Sequence, residues 1–510
     1  ALLLLAALLF VMGACTQNDV PPLDPLAPHR AALKEGYQSD IDLAASAPRY
    51  QISITLPSPG NMLTGTARID LTNTSPDPWR NLVFRLYPAL DHYRGEMTLL
   101  SALVDGSPAN FVYQADDTAV RVDLPRTLLP GHSATVDLSW KLAIPRWPDD
   151  STTYALFGAS QEITSLPLFY PSLAVYEPGP AVGTGRWWLD IGSVRGDAAF
   201  NLASLFLVTA TLPANQVPVA TGTQIAAAPL EDNQTQYVWA TGPVREFLLH
   251  MSPRFESASL DAYGTRVTSY WLPENQSAGR AVLVYAVAAL RFYNDYFGGY
   301  PARDMAVAPA ALSYRGMEYP QVSLLGIELY SRYRQDLETL TAHEIAHNWW
   351  YQAVHNDPVR EPWLDEALAE DSMRLYMEAL YGMEGAAAVE RQRWSVPLDL
   401  LVGQEADANL NRPVDAFRNS SQYETIVYAK GALLYSQMRE ALGDREFRNF
   451  LRNYLAQYRY QIVTTEEWLE AVRALGRPEL LALYREWVAA PDSLPEPAPT
   501  VVPKEHAATP

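Results

Sequence analysis

Two histidines four residues apart enclose a glutamate in the stretch His343-Glu344-Ile345-Ala346-His347. On a helix that spacing puts both imidazoles on one face, about one turn apart, so their nitrogens can converge on one metal ion. Glu344 is then rotated by about 100° from His343 and can face a water beside the metal instead of the metal itself. A pentapeptide alone does not make a site, and a third ligand is needed. Glu366 offers one, with eighteen residues intervening after His347, in Trp363-Leu364-Asp365-Glu366-Ala367-Leu368-Ala369-Glu370, at the start of a second helical pattern. Two antiparallel helices can bring that carboxylate to the histidine face. Two imidazoles and one carboxylate leave the fourth position of a tetrahedral zinc ion open, which is the catalytic arrangement of one Zn2+ and not the closed structural one.

Competing readings are few. His355 could take the third place, but the metzincin spacing that recruits a histidine calls for Gly at position 350 and His at position 353, where Trp350 and Ala353 stand. No nearby cysteine supports a closed site. The bland alternative, a polar helix face with Glu366 solvated, weakens once the carboxylate is counted. Glu370, one turn after Glu366, can hydrogen-bond His343 or His347 and fix its tautomer, with an exposed helix charge as the alternative.

The elements that must position these residues fall into two blocks. From 49 to 256 short runs alternate apolar and polar residues, as at 67–72 and 134–142, between Pro, Gly, Asn and Asp turns. That predicts an antiparallel all-β domain. From 257 to 490 the period becomes helical, over 278–297, 336–351, 366–381, 425–441, 444–458 and 465–475, with short strand-like segments near 266–272 and 305–309. The expected class is therefore multidomain α+β, a β domain followed by a mixed, mainly helical domain. A chain of 510 residues exceeds one core. Its composition, 48% hydrophobic and 19% charged, is that of a folding chain, and a net charge of -20 without clustered Lys and Arg excludes a nucleic-acid partner.

The ends read differently. Residues 1–15, ALLLLAALLFVMGAC, form an apolar run too short to span a bilayer and closing on small residues before Cys15, the single cysteine. This predicts a signal peptide, truncated at its N-terminus, with a lipobox-like end and Cys15 as the lipidation site. The expected location is then extracytoplasmic, in a bacterial cell envelope, with the chain held to the membrane by a lipid anchor only. An ordinary signal sequence followed by a free thiol is the alternative. Residues 16–48, rich in Pro and Ala, read as a linker, and the Pro-rich 491–510 as a disordered tail.

Three motifs together resemble the gluzincin zinc aminopeptidase family, that of aminopeptidase N and leukotriene hydrolase. They are the His-Glu-x-x-His with Glu366, the segment Gly316-Met317-Glu318-Tyr319-Pro320, similar to the family's Gly-x-Met-Glu-Asn, and Tyr428-Ala429-Lys430-Gly431-Ala432, similar to its Tyr-x-Lys-Gly-Ala. The resemblance implies a thermolysin-like catalytic domain. It also implies that Gly316, Met317 and Glu318 form the substrate-binding segment, with Glu318 on the α-amine of peptides that have a free N-terminus. Glu344 would be the general base and Tyr428 the donor to the oxyanion. Tyr319 departs from the family's Asn, and the expectation is of a short member without the large C-terminal helical domain of typical members. An endopeptidase or other amide hydrolase on the same residues, or a non-catalytic envelope scaffold, remain as rival expectations.

Overall fold

A computed structural model describes residues 24–489 except 58–59, 151, 192–194 and 314. The expected signal peptide, Cys15 and the tail lie outside these residues. Within them the order of the two blocks is as expected from the sequence: strands first, then a mixed, mainly helical domain.

The β domain is built on an eight-stranded sheet. At its centre lie β1 (Arg49–Thr55), β2 (Met62–Thr72), β3 (Ser133–Ala143) and β4 (Leu205–Pro213). Alternation sets the register, because β2 buries every second residue from Leu63 onward while Arg68, on the other face, pairs with Asp137 of β3 at 2.8 Å. The sheet departs from the antiparallel expectation at one place, where β1 and β4 run parallel. Gly65 faces Trp140 across the sheet, and a Cβ there would lie 2.3 Å from the indole, so the glycine makes room for a fully buried tryptophan.

The second domain opens with a five-stranded sheet. Strands β5 (Glu256–Ala262), β6 (Thr265–Trp271), β7 (Asp304–Ala310), β8 (Gly316–Tyr319) and β9 (Val322–Gly326) lie in the order β5-β6-β7-β9-β8. Helix α1 (Gln276–Tyr296) crosses between the parallel strands β6 and β7. Strand β8, which carries Glu318, is thereby left on the sheet's edge with one side unpaired. Helices α2 (Leu337–Ala346) and α3 (Trp363–Val389) pack behind it around Trp271, Tyr293, Trp350 and Trp363, all buried.

Three expectations are corrected. The helix predicted over 336–351 stops at Ala346, and Tyr351 sits at φ 130 with its amide donating to the Val354 carbonyl. Tertiary contact overrides the apolar period there: the Arg245 guanidinium, reaching over from the β domain, donates to the carbonyls of Gln352, Ala353 and Gln461. The helix predicted over 425–441 is a wide π turn, Thr425–Lys430, followed by α4 (Gly431–Leu442). Finally, residues 24–48 of the expected linker form a packed strap. Pro28 opens a helical turn, Ala27–Ala31; His29 Nδ1 lies 2.8 Å from the Thr241 carbonyl; and Asp40 binds Arg459 and the Tyr460 hydroxyl, each at 2.6 Å. Proline here starts structure at a position where no N–H is required.

Candidate active site

Helix α2 presents His343 in its last turn and His347 at its C-cap, while α3 presents Glu366 in its first turn. The three meet. His343 Nε2 lies 3.3 Å from Glu366 Oε2 and 3.2 Å from His347 Nε2, and His347 Nε2 lies 3.4 Å from Glu366 Oε2. A tetrahedral zinc ion with bonds of about 2.0–2.1 Å has ligand-to-ligand edges of about 3.3–3.4 Å. The donor set and its edges therefore fit zinc. Each outer ring nitrogen is held as well: His347 Nδ1 lies 2.8 Å from the Trp350 carbonyl, and His343 Nδ1 lies 2.9 Å from Glu370 Oε2. Glu370 is itself clamped by Arg393 at 2.7 and 3.0 Å and by the Trp394 indole at 2.8 Å. Such outer contacts fix the tautomer that leaves Nε2 free to ligate.

Charge follows geometry. Burial alone would lower the histidine pKa values, but hydrogen bonds to Glu366, and for His343 to Glu370, outweigh it and raise His343 to about 9 and His347 to about 10. Burial would raise Glu366, yet the two histidines hold it down to about 2. Without metal the trio is a proton-loaded ion cluster, so a metal ion entering it displaces protons. Glu344 is 4% exposed, and burial raises its carboxyl to about 7 against the pull of His343 and His347. That value suits a group that must both accept and return a proton near neutrality.

Glu344 has its room because of Gly316. A Cβ at that position would lie 1.9 Å from Glu344 Oε1. The next residues of β8 place Met317 in the β-side core and Glu318 in the cleft, 6% exposed, with Oε1 lacking a hydrogen-bond partner. Burial, followed by the charges of Glu366 and Glu344, pushes Glu318 well above the usual carboxylate range. On the opposite wall the π turn carries Tyr428, whose hydroxyl donates to Glu366 Oε1 at 2.5 Å. Burial and then the Glu366 charge raise this phenol well above 10, so it remains a donor. Lys430 anchors the turn through Asp407 at 2.8 and 3.0 Å and the Ala408 carbonyl at 2.8 Å. At Gly431 a Cβ would lie 2.5 Å from Ala367 Cβ, so glycine lets this wall close onto the metal-bearing helix.

Sequence reasoning missed Asp197. It lies in an irregular stretch with no period and no motif, yet its carboxylate, that of Glu318 and that of Glu366 approach within 4.8 Å of one another. It also missed Arg393 and Trp394, whose roles depend on where α3 leads after its kink at Gly382 (φ 72). The metal-ligand trio, Glu344, Glu318, Asp197, Glu370, Arg393 and Tyr428 line one cleft of about 690 Å³, together with Tyr154, Arg315 and Tyr423.

Two histidines and a glutamate whose donor atoms fit a zinc ion, held between an edge strand and two helices, are what this fold and site define. Residues 283–487 match the family model described as peptidase family M1 domain. Over that stretch the chain is similar to the peptidase family M1 domain, in the gluzincin group that its motifs resemble. Among curated proteins, aminopeptidase M1-B of Oryza sativa subsp. japonica is 28% identical over 231 residues, 42% of this chain and 26% of that protein. Aminopeptidase RNPEPL1 of Mus musculus is 25% identical over 489 residues, 87% of this chain and 65% of its own length. The chain thus spans about a quarter of the first of these relatives and just under two thirds of the second. In fold it is similar to an M1 zinc metallopeptidase of Deinococcus radiodurans, with a TM-score of 0.62 and 20% identity over 89% of this chain and 96% of that one.

Proposed function

We propose that the chain is a zinc-dependent aminopeptidase that hydrolyses the N-terminal bond of peptides, with one Zn2+ held by His343, His347 and Glu366. The observation that carries the exopeptidase reading is Glu318: a buried carboxylate with a free oxygen, beside the metal ligands, is a seat for the one cation every unblocked peptide has at its end. Curated relatives named aminopeptidases, and a structure of a mutant of the Deinococcus radiodurans protein bound to a Tyr-ser-ala substrate, support the same reading.

When bound, zinc supplies Lewis acidity at the open fourth position. Glu344 takes the proton of the attacking water and hands it to the leaving amine, a task for which its pKa of about 7 is suited. Tyr428 donates its hydroxyl to the developing oxyanion. Glu318 fixes the α-ammonium at one distance from the reacting carbonyl, which limits cleavage to the first peptide bond. Glu344→Gln should keep zinc and lose turnover; near-normal hydrolysis by fully loaded Glu344→Gln would refute the base assignment. Peptides with free and acetylated N-termini give the substrate test, because equal cleavage of both would make the chain an endopeptidase or general amide hydrolase. No cleavage of either by the zinc-loaded protein would return the scaffold reading.

For residues 1–15 we propose lipidation at Cys15 and attachment to an extracytoplasmic membrane surface. The described residues contain no helix long and apolar enough to cross a membrane. Mass spectrometry of the N-terminal peptide from the full-length precursor, expressed in a bacterium, tests this through the acyl mass on Cys15.

A further inference from the structure

The turn between α2 and α3 carries a tyrosine where the backbone suits glycine. Tyr351 sits at φ 130, whereas every other non-glycine residue of positive φ among the described residues lies between 46 and 64, in the left-handed helical band. A side chain at φ 130 is strained, and such strain persists only where the surroundings over-determine it. The peptide joining Trp350 to Tyr351 is used at both ends: its carbonyl accepts from His347 Nδ1 at 2.8 Å, and its N–H donates to the Val354 carbonyl at 2.8 Å. The rotation φ at Tyr351 sets this peptide against the chain beyond it. That chain is pinned, by the Arg245 guanidinium on the Gln352 and Ala353 carbonyls and by His355 Nδ1, 3.1 Å from the Tyr351 carbonyl. On the near side the Trp350 indole donates to Ser372 at 2.9 Å. A return of Tyr351 to negative φ would therefore swing the peptide and take the Trp350 carbonyl away from His347. The side chain opposes that swing. It is 2% exposed, its ring stands edge-on to those of His347 and His355, and its hydroxyl donates to Glu246 Oε1 at 3.1 Å. Glu246 is the neighbour of Arg245 in the β domain and is itself buried.

We infer that Glu246 and Tyr351 are positioning residues for the metal ligand His347, the hydrogen bond between them holding the strained turn whose carbonyl fixes the imidazole. The inference rests on the reading of His343, His347 and Glu366 as a zinc site and deepens it. A carbonyl oxygen can only accept, so that of Trp350 keeps the proton on Nδ1 and leaves Nε2 to ligate. The latch belongs to the β domain, so zinc affinity depends on how the two domains dock. His355 gains a place as well: it does not reach the trio, but it holds the carbonyl of the strained residue.

Zinc affinity of the metal-free protein, measured against a competing chelator, tests this without turnover. Alanine and glycine at position 351 remove the same ring and differ by one methyl group, but only glycine takes φ 130 freely. Tyr351→Ala weakens zinc binding by about 10- to 100-fold, the usual cost of losing an outer contact of a ligating histidine, while Tyr351→Gly stays within about threefold of wild type. A ring that merely fills space gives glycine no such advantage, since glycine loses more freedom on folding. Glu246→Leu weakens binding by about tenfold, and Glu246→Gln, which keeps the acceptor, restores it. In the Tyr351→Gly protein, with neither hydroxyl nor strain, Glu246→Leu changes affinity by less than about twofold, as expected of one residue acting through another. Equal zinc affinities of Tyr351→Ala and Tyr351→Gly, or a Glu246→Leu loss that persists undiminished in the Tyr351→Gly background, would overturn the inference. His347→Ala separates it from the zinc reading: if that variant binds zinc as tightly as wild type, the zinc assignment falls and the turn with it, and if it loses zinc while the two variants at 351 match, the turn alone falls. The Glu246 comparison decides even where Tyr351→Ala does not fold, because it needs only Tyr351→Gly.

Discussion

Gly316→Ala puts a single methyl group against the proposed base. The new Cβ would lie 1.9 Å from Glu344 Oε1 and 2.3 Å from its Cδ. A non-bonded C···O pair sits at about 3.3 Å, so the carboxylate must retreat by roughly 1.4 Å. The backbone has no quarrel with alanine, since Gly316 is outside the left-handed region, and Glu344 is the far end of a flexible side chain that can swing into the cleft. The fold is therefore expected to hold, with alanine's smaller unfolded-state entropy even favouring it by up to about 1 kcal/mol. Catalysis is not spared, because a displacement of about 1 Å in a reacting group can cost about a hundredfold. We expect kcat to fall by about a hundredfold, about 2.7 kcal/mol in the barrier, with zinc content and melting temperature unchanged. Steady-state kinetics on an aminoacyl anilide, elemental analysis and thermal melting by circular dichroism measure the three quantities. A Gly316→Ala protein with full zinc and wild-type kcat would show that Glu344 does not need the position it occupies, and the assignment of the base would fail with it.

Gly431→Ala makes the opposite prediction. Its Cβ would lie 2.5 Å from Ala367 Cβ, an atom fixed to a helix backbone, so two helices must part and stability falls by about 1–3 kcal/mol, read as a lower melting temperature. Glu370→Gln removes the charge beside His343 Nδ1 while keeping shape, and zinc affinity measured against a competing chelator should drop about 10- to 100-fold. Metal-free protein should lose stability as pH rises. His343 and His347 titrate near 9 and 10 when folded but near 6.5 when unfolded, so their contribution is complete below pH 6.5 and disappears through pH 9–10. Melting of chelated protein from pH 6 to 10 should show that decline, and zinc-loaded protein should not.

What could be read from the sequence follows the range of the interactions involved. The two histidines and Glu344 depend on one turn of helix, a geometry that spacing alone determines. Glu366 needed one further assumption, that two helices meet, and the chain between them is short. Glu318 and Tyr428 were found only because their flanking glycines form motifs, and the structure gives those glycines a cause in Glu344 and Ala367. The two-domain order was visible because strand and helix periods differ. Asp197 and Arg245 were invisible, since their partners are remote in sequence and no period marks an irregular loop. The strap was misread for a related reason: its prolines and alanines look like a tether, while Asp40, His29 and Leu33 find partners that composition does not reveal.

The strap also carries a consequence for how the protein is made. Asp40 and Arg459 are separated by 419 positions along the chain, so the first residue of the pair leaves the ribosome long before its partner exists. At about 5–20 residues per second, the wait is roughly 20–80 s. During that time Leu33 and Ile41, which end 2% and 1% exposed, lack part of their cover, and the surface that the strap will occupy stands open. Closing the strap is thus a late event of biosynthesis, joining the earliest described segment to the turn between two of the last helices.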